Sequence, residues 1–251
     1  MEQTPEREEI VAEMKKMKES APGREELRLI MLQVGGEELL ERVIKLVQYM
    51  FNNGADKWEP ELKVGMVIPL FKKGDRNIKD NYRGVCLLPM GSRIVARIMA
   101  NRLRIWAEKL ELFDDDQSGF RKGRSTADAT QIMVRIQEDT EDLRRRLAAK
   151  GEELEDGKVP VARLLDLSKA YPRVNKPALW SMLKKYGMKE KALRVLQGLH
   201  ESTEYRIKSR EGESEPWVPA RGLREGDPSS QVLFNMYHQG VMRLGAKARK
   251  R

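Results

Sequence analysis

Residues 163–174 read RLLDLSKAYPRV, an apolar run that ends on one aspartate, Asp166, with a tyrosine, Tyr171, five residues later. The run begins upstream as VPVARLLD, residues 159–166, with the β-branched and leucine content of a buried strand. Downstream, Pro177 opens a helix carrying Leu179, Met182, Leu183 and Tyr186 on one face, and Gly187 ends it. The pattern is strand, turn, helix, with Asp166 at the strand tip. A further helix is expected over about 189–202, and EYRIKSREGESEPWVPARGL, residues 204–223, alternates about a glycine turn like a hairpin. Short strands mixed with helices in no strict alternation give an α+β fold.

Working back toward the N-terminus, Thr4 and Pro5 form a helix cap and first turn before Ile10, Met14 and Met17. Leu40, Val43, Ile44, Val47 and Met50 repeat the helical spacing, so residues 1–51 read as mostly amphipathic helix, closed by NNG at 52–54. KVGMVIPLFKKGD, residues 63–75, changes to a short β-like run with a basic turn. Ser92 is placed to cap a helix with apolar positions Val95, Met99, Leu103, Trp106 and Leu110, followed by DDD at 114–116. Another helix starts near Ser125 and runs into EDTEDLRRRLAAKGEELEDG, residues 138–157. There Glu141–Arg145 and Asp142–Arg146 are four-residue ion pairs and the apolar stripe thins to a solvated extension.

Of the 251 residues 40% are hydrophobic and 35% charged, which fits neither the membrane nor the disordered class. The 48 Lys plus Arg against 39 Asp plus Glu give a formal charge of +9, which suits a polyanionic partner through counterion release. Cys86 is the one cysteine, and with only His200 and His238 beside it there is neither an internal disulfide nor a zinc-ligand set. Any metal must be held by oxygen. MEQTPEREEI at the start has acids where a signal peptide needs basic or apolar residues, and no stretch approaches about 20 apolar residues. The expected setting is intracellular, cytoplasm or nucleus, with no membrane partner.

Four segments then fall in a recognisable order: WEPELKVGMVIPLFKKGDRNIKDNYRGVCLL at 58–88, DQSGFRKGRSTADA at 116–129, LLDLSKAYPRV at 164–174 and GLREGDPSSQVLFN at 222–235. In sequence and spacing they resemble the reverse transcriptase domain of non-LTR retrotransposons, over about residues 45–245. The resemblance implies a right-hand polymerase: a helical N-terminal extension over 1–57, a fingers-like region over 58–158 and a partial palm over 159–251. It also implies RNA-directed DNA synthesis on an RNA template from a DNA primer, with deoxynucleotides and Mg²⁺.

Nucleotidyl transfer needs hard cations on convergent carboxylates, and the resemblance places the first of these at Asp166. Taken alone, Asp166 reads better as a strand-end aspartate capping its turn, and the motif context reverses that preference. Tyr171 matches the family's aromatic gate against a ribose 2′-hydroxyl. Lys72, Lys73 and Arg83 match its triphosphate contacts, a point charge and a bidentate fork being the two ways to hold phosphate; a solvated hairpin tip is the alternative. Arg121, Lys122 and Arg124, ahead of a helix N-terminus at Ser125, resemble a template or primer backbone contact, or else decorate a helix-capping loop. Gly222 and Gly226 let backbone approach a nucleotide, and Pro228 with Ser229 and Ser230 caps the helix bearing Leu233 and Phe234.

The departures are as informative. Glu225 stands where the family usually has Gln, putting negative charge near template phosphate or incoming nucleotide, and Ser230–Gln231 replaces a Ser-Pro pair. Pro172 replaces a second aspartate, fixing φ and removing an N–H after the gate. The 251 residues hold no Ala-Asp-Asp box, where the family carries its remaining metal carboxylates, and no thumb. The expectation is an N-terminal fragment of a reverse transcriptase domain, inactive by itself with Mg²⁺ weak or absent, against the alternative of a catalytically silent, basic nucleic-acid-binding remnant.

Overall fold

The computed structural model describes residues 1–154, 159–162, 164–201, 203–209 and 212–248. Among them are eight α-helices and four short strands, a mixed α+β architecture. By contact the chain divides into two compact units, Met1–Leu112 with Lys169–Arg251, and Phe113–Ser168.

The first unit is built around α4 (Met90–Lys109). Val95, Met99 and Leu103 are buried as their spacing predicts, while Ile94, Ile98 and Ala107 on a second face are buried as well. Four helices pack against it: α1 (Arg7–Lys15), α3 (Gly36–Asn52), α7 (Glu190–His200) and α8 (Pro228–Ala248). With its small and apolar residues buried along most of its length, α4 is a helix that neighbours largely enclose. Leu110, at its end, is exposed.

The N-terminal segment is fastened to α4 by charge as well as apolar contact. The Arg102 guanidinium donates to both Glu9 carboxylate oxygens, at 2.8 and 2.5 Å, and to the Gln3 carbonyl at 2.6 Å. A planar fork on a carboxylate fixes orientation as well as distance. The helix starts differ from the sequence expectation. Ser92 lies inside α4, its hydroxyl donating to the Leu62 carbonyl at 2.5 Å, and the free Met90 N–H donates instead to the Glu25 carboxylate at 2.7 Å. Helix α1 starts at Arg7, and Thr4 turns its hydroxyl to Asn52. At α4 a distant carboxylate does the work of a local cap; α1 has no side-chain cap. Between α1 and α3 lies the short α2 (Leu29–Val34).

Strands β1 (Val64–Phe71), β2 (Tyr82–Leu87), β3 (Glu204–Ser209) and β4 (Gly212–Glu213) form one sheet in the order β2-β1-β3-β4. β1 and β2 form an antiparallel hairpin from Met66↔Leu87 to Phe71↔Tyr82, and β3 runs parallel to β1 from Val64↔Glu204 to Val67↔Ile207. Pro69, which lacks an N–H, sits past the point where β3 stops pairing, so only β2 flanks it. The expected hairpin at 204–223 is present as β3 and β4, and Trp217 adds a bridge to Tyr205; its turn at 210–211 lies outside the described residues. Helix α6 (Lys176–Lys185) and α7 follow the sequence reading, with Asn175 accepting the Ala178 N–H at 2.9 Å as a cap.

In the second unit α5 (Thr126–Ala148) starts where expected, and Asp128 accepts the Ser125 backbone N–H at 2.5 Å, half of a capping box. Its acids pair one residue earlier than the sequence suggests, Glu141 with Arg144 and Asp142 with Arg145. No described residue of α5 is buried, and residues 155–158 beyond it lie outside the description.

The largest departure is at 159–168. No ladder forms there among the described residues, and Val161, Leu164 and Leu165 are 90%, 95% and 82% exposed; Arg163 lies outside the description. Apolar β-branched content marks a segment that gains by burial, but a strand exists only when a neighbouring strand takes its N–H and C=O groups. The sheet that forms is in the other unit.

Candidate nucleotide and nucleic-acid site

Loop 221–227 organises the site in the first unit. Arg224 and Asp227 are buried and joined at 2.7 Å; Arg224 also reaches the Thr203 hydroxyl at 3.2 Å. Asp227 accepts the Ser229 N–H at 2.8 Å and the Ser229 hydroxyl at 2.6 Å, so Asp227, with Pro228 after it, caps α8 in place of the expected serines. Burial alone would raise the Asp227 pKa, but Arg224, His200 and the Ser229 bonds outweigh it and hold the carboxyl below its usual range.

His200 Nε2 lies 3.0 Å from the Ser229 hydroxyl. Because that hydroxyl spends its proton on Asp227, Nε2 must be the donor, which leaves Nδ1 unprotonated and, among the described residues, unpartnered. Burial, with Arg224 and Lys176 nearby, pushes the His200 pKa down to about 4 against the pull of Asp227. Serine, histidine and aspartate meet here, yet the proton runs from His to Ser to Asp, the reverse of an activated serine, and all three are buried. The set is a clamp.

Lys176 completes it. Its buried ammonium donates to the His200 carbonyl at 3.1 Å and the Pro219 carbonyl at 2.8 Å, tying α6 and the end of α7 to the approach of the loop. Burial lowers its pKa. Sequence reading missed Lys176, Thr203, His200, Arg224 and Asp227 as a group. The one local signal was Asp-Pro-Ser-Ser, an Asp cap with Pro at the first helical position.

The glycines of the loop approach backbone of this chain. A Cβ at Gly222 (φ +93°) would lie 2.8 Å from Pro172 Cα, and one at Gly226 (φ +104°) 2.6 Å from the Cys86 carbonyl. Pro172, which follows Tyr171, is therefore the surface on which Gly222 rests. The Cys86 N–H donates to the Glu225 carbonyl at 2.8 Å, stitching the loop to β2. Burial raises the Cys86 thiol to about 11, which keeps it protonated.

Tyr171 lies in a short 3₁₀ turn, half-buried, its ring edge-on to Phe234 at 5.2 Å. Its carbonyl accepts the Leu223 N–H at 2.9 Å. Burial, then the Glu225 charge, raises its pKa. Arg83 on β2 meets Glu225 at 3.3 Å. The unit thus brings Arg83, Tyr171, Glu225 and the exposed Gly226 around one clamped loop. Lys72 and Lys73 stand exposed at the β1–β2 turn, with no side-chain partner among the described residues. That turn is shaped from within, the Asp75 carboxylate accepting the Asn77 N–H at 2.9 Å and Lys72 N–H donating to the Asn81 carbonyl at 2.8 Å.

The remaining candidates belong to the second unit. Arg121 donates to the Asp114 carbonyl at 2.9 Å and lies 5.5 Å over the Phe113 ring, Arg124 pairs with Asp115 at 3.2 Å, and Lys122 is exposed. The triple-aspartate turn is thus a partner for the basic loop. Asp166 is exposed on irregular backbone, without the strand expected to fix it.

Residues 71–249 match the family described as "Reverse transcriptase (RNA-dependent DNA polymerase)", and the chain belongs to it. Its relatives are proteins of transposable elements. It is 32% identical over 88 residues to "Retrovirus-related Pol polyprotein from type-2 retrotransposable element R2DM" of Drosophila melanogaster, covering 33% of this chain and 8% of that protein. It is 25% identical over 182 residues to "Probable RNA-directed DNA polymerase from transposon BS" of the same organism, covering 70% and 18%. It is 29% identical over 166 residues to "Transposon TX1 uncharacterized 149 kDa protein" of Xenopus laevis, covering 66% and 12%. These matches bear out the resemblance to non-LTR retrotransposon reverse transcriptases. The chain spans less than a fifth of the length of each of these relatives.

The family implies a divalent metal. Among the described residues no three His, Cys, Asp or Glu side chains gather to hold one, and Asp166 offers a single carboxylate to solvent. A Mg²⁺ ion that keeps most of its water gains little from one ligand. The described residues do not fit a resident metal. No helix among the described residues is long and apolar enough to cross a membrane.

Proposed function

We propose that this chain is the nucleotide- and template-binding portion of a retrotransposon RNA-directed DNA polymerase, silent in synthesis as an isolated polypeptide. In this reading residues 58–158 are fingers, residues 159–251 part of a palm, and residues 1–57 an extension. Lys72, Lys73 and Arg83 grip the triphosphate of a deoxynucleotide, Tyr171 bars a 2′-hydroxyl, and Gly226 leaves room for the base. Arg121, Lys122 and Arg124 follow the backbone of an RNA template or DNA primer. The observation that supports the reading is the clamp, with loop 221–227 bonded to β2 at Cys86 and to Tyr171 through Leu223, and Glu225 beside Arg83.

RNA-templated DNA synthesis by the chain itself is the second reading. The solvent-facing Asp166 on a run without a ladder counts against it. Primer extension on an RNA template with Mg²⁺, comparing the chain with Asp166→Ala, separates the two. No extension by either is expected, and aspartate-dependent extension would establish the second. Both proteins should bind a primed template with an affinity that falls steeply with salt; binding indifferent to salt would remove both readings.

A further inference from the structure

We infer that Glu225 is an internal competitor for the anion-binding side of Arg83, so that this chain fills with its own carboxylate a place where a polyphosphate would pair. The inference rests on the triphosphate reading above and adds what sets the site's affinity. Glu225 Oε2 lies 3.3 Å from Arg83 Nε, with the arginine side chain 59% exposed and the glutamate 28%. The guanidinium therefore still presents a face to solvent while its carboxylate partner is the better-shielded of the two.

The backbone of Glu225 is held in place. Its carbonyl accepts the Cys86 N–H at 2.8 Å, Gly226 beside it lies against the Cys86 carbonyl, and Asp227 after that is locked in the buried clamp. Its charge also lies near enough to the half-buried Tyr171 to add to the rise that burial gives the tyrosine pKa.

The surroundings are built for anions. Residues 72–83 hold five cations, Lys72, Lys73, Arg76, Lys79 and Arg83, against two acids, Asp75 and Asp80. Asp80 is itself paired with Lys169 at 2.9 Å, and Asp75 is turned onto Asn77. Glu225 is the acid that meets Arg83. A polyphosphate arriving there must push the carboxylate aside or share the guanidinium with a like charge a few ångströms away, and both lower its affinity. Glutamine of the same shape removes the charge and leaves the backbone bonds.

The test is calorimetric titration of the 251-residue chain with inorganic triphosphate and with a deoxynucleoside triphosphate. Four proteins are compared: the native chain, Glu225→Gln, Arg83→Ala and the double variant. Glu225→Gln should bind both probes roughly fivefold or more tighter, and with Arg83 already removed the same change should alter affinity less than about twofold, the signature of a coupled pair. Native and Glu225→Gln proteins of equal, measurable affinity would overturn the competitor role and leave the triphosphate site standing. An equal gain with and without Arg83 would also overturn it, showing diffuse repulsion. Absence of binding in all four would remove the triphosphate site as well. A thermal melt of Glu225→Gln close to that of the native chain shows that the comparison is between folded proteins.

Discussion

Loop 221–227 and the run 159–168 are both segments that the sequence marks out for the site, and they are held in opposite ways. Arg224 and Asp227 bury their charges against Thr203, Ser229 and His200, while Val161, Leu164 and Leu165 face solvent. The loop brings its own partners, most of them within a few residues or on the adjoining ends of α7 and α8. The run requires a strand lying alongside it, and among the described residues none does. A polar clamp can be completed locally; a β ladder cannot.

The comparison breaks most sharply at Asp227. Replacing it with alanine leaves the Arg224 guanidinium buried without its carboxylate and removes the α8 cap, so Asp227→Ala should cost about 3–5 kcal/mol of stability. Urea denaturation followed by circular dichroism measures it. A loss under about 1 kcal/mol would mean that the clamp does not hold the loop.

Acid tests the same clamp through His200. Its folded pKa, about 4, lies below the ordinary value of 6.5. Between those values the unfolded chain binds the proton and the folded chain does not, so stability falls as pH drops from 6.5 toward 4. The expected loss over this window is about 3 kcal/mol at most. Below it, protonation of Asp227, whose folded pKa is depressed, removes more. Melting temperature measured across this pH range should decline, and His200→Gln should flatten the decline.

How much was legible follows from the same contrast. Helical periodicity located α3, α4, α6 and α7 because their apolar faces are written at intervals of three and four residues. The basic hairpin, the tyrosine and the glycine loop were visible as motifs. The clamp was not, since Lys176 on α6, His200 on α7, Thr203 in the connection to β3 and Arg224 in loop 221–227 are far apart in sequence and none is unusual alone. Caps supplied from afar, such as Glu25 on α4, leave no mark beside the helix they serve. At 159–166 the composition gave the correct need, burial, and hid the missing condition, a neighbour.

The mildest test is at Leu165. If the run stands in solvent, Leu165→Ser removes no packing, and its effect on stability should stay within about 0.5 kcal/mol. Leu196, fully buried on α7, should lose roughly 2–5 kcal/mol on change to alanine, because a cavity forms where the side chain was. Paired denaturation curves of the two variants against the native chain measure both. A loss at Leu165 as large as that at Leu196 would mean that the run is packed in solution, and the contrast between self-sufficient loop and dependent strand would fail. Near-silence at Leu165 would show that folding of the first unit, with its clamp and its sheet, proceeds without any ladder at Asp166.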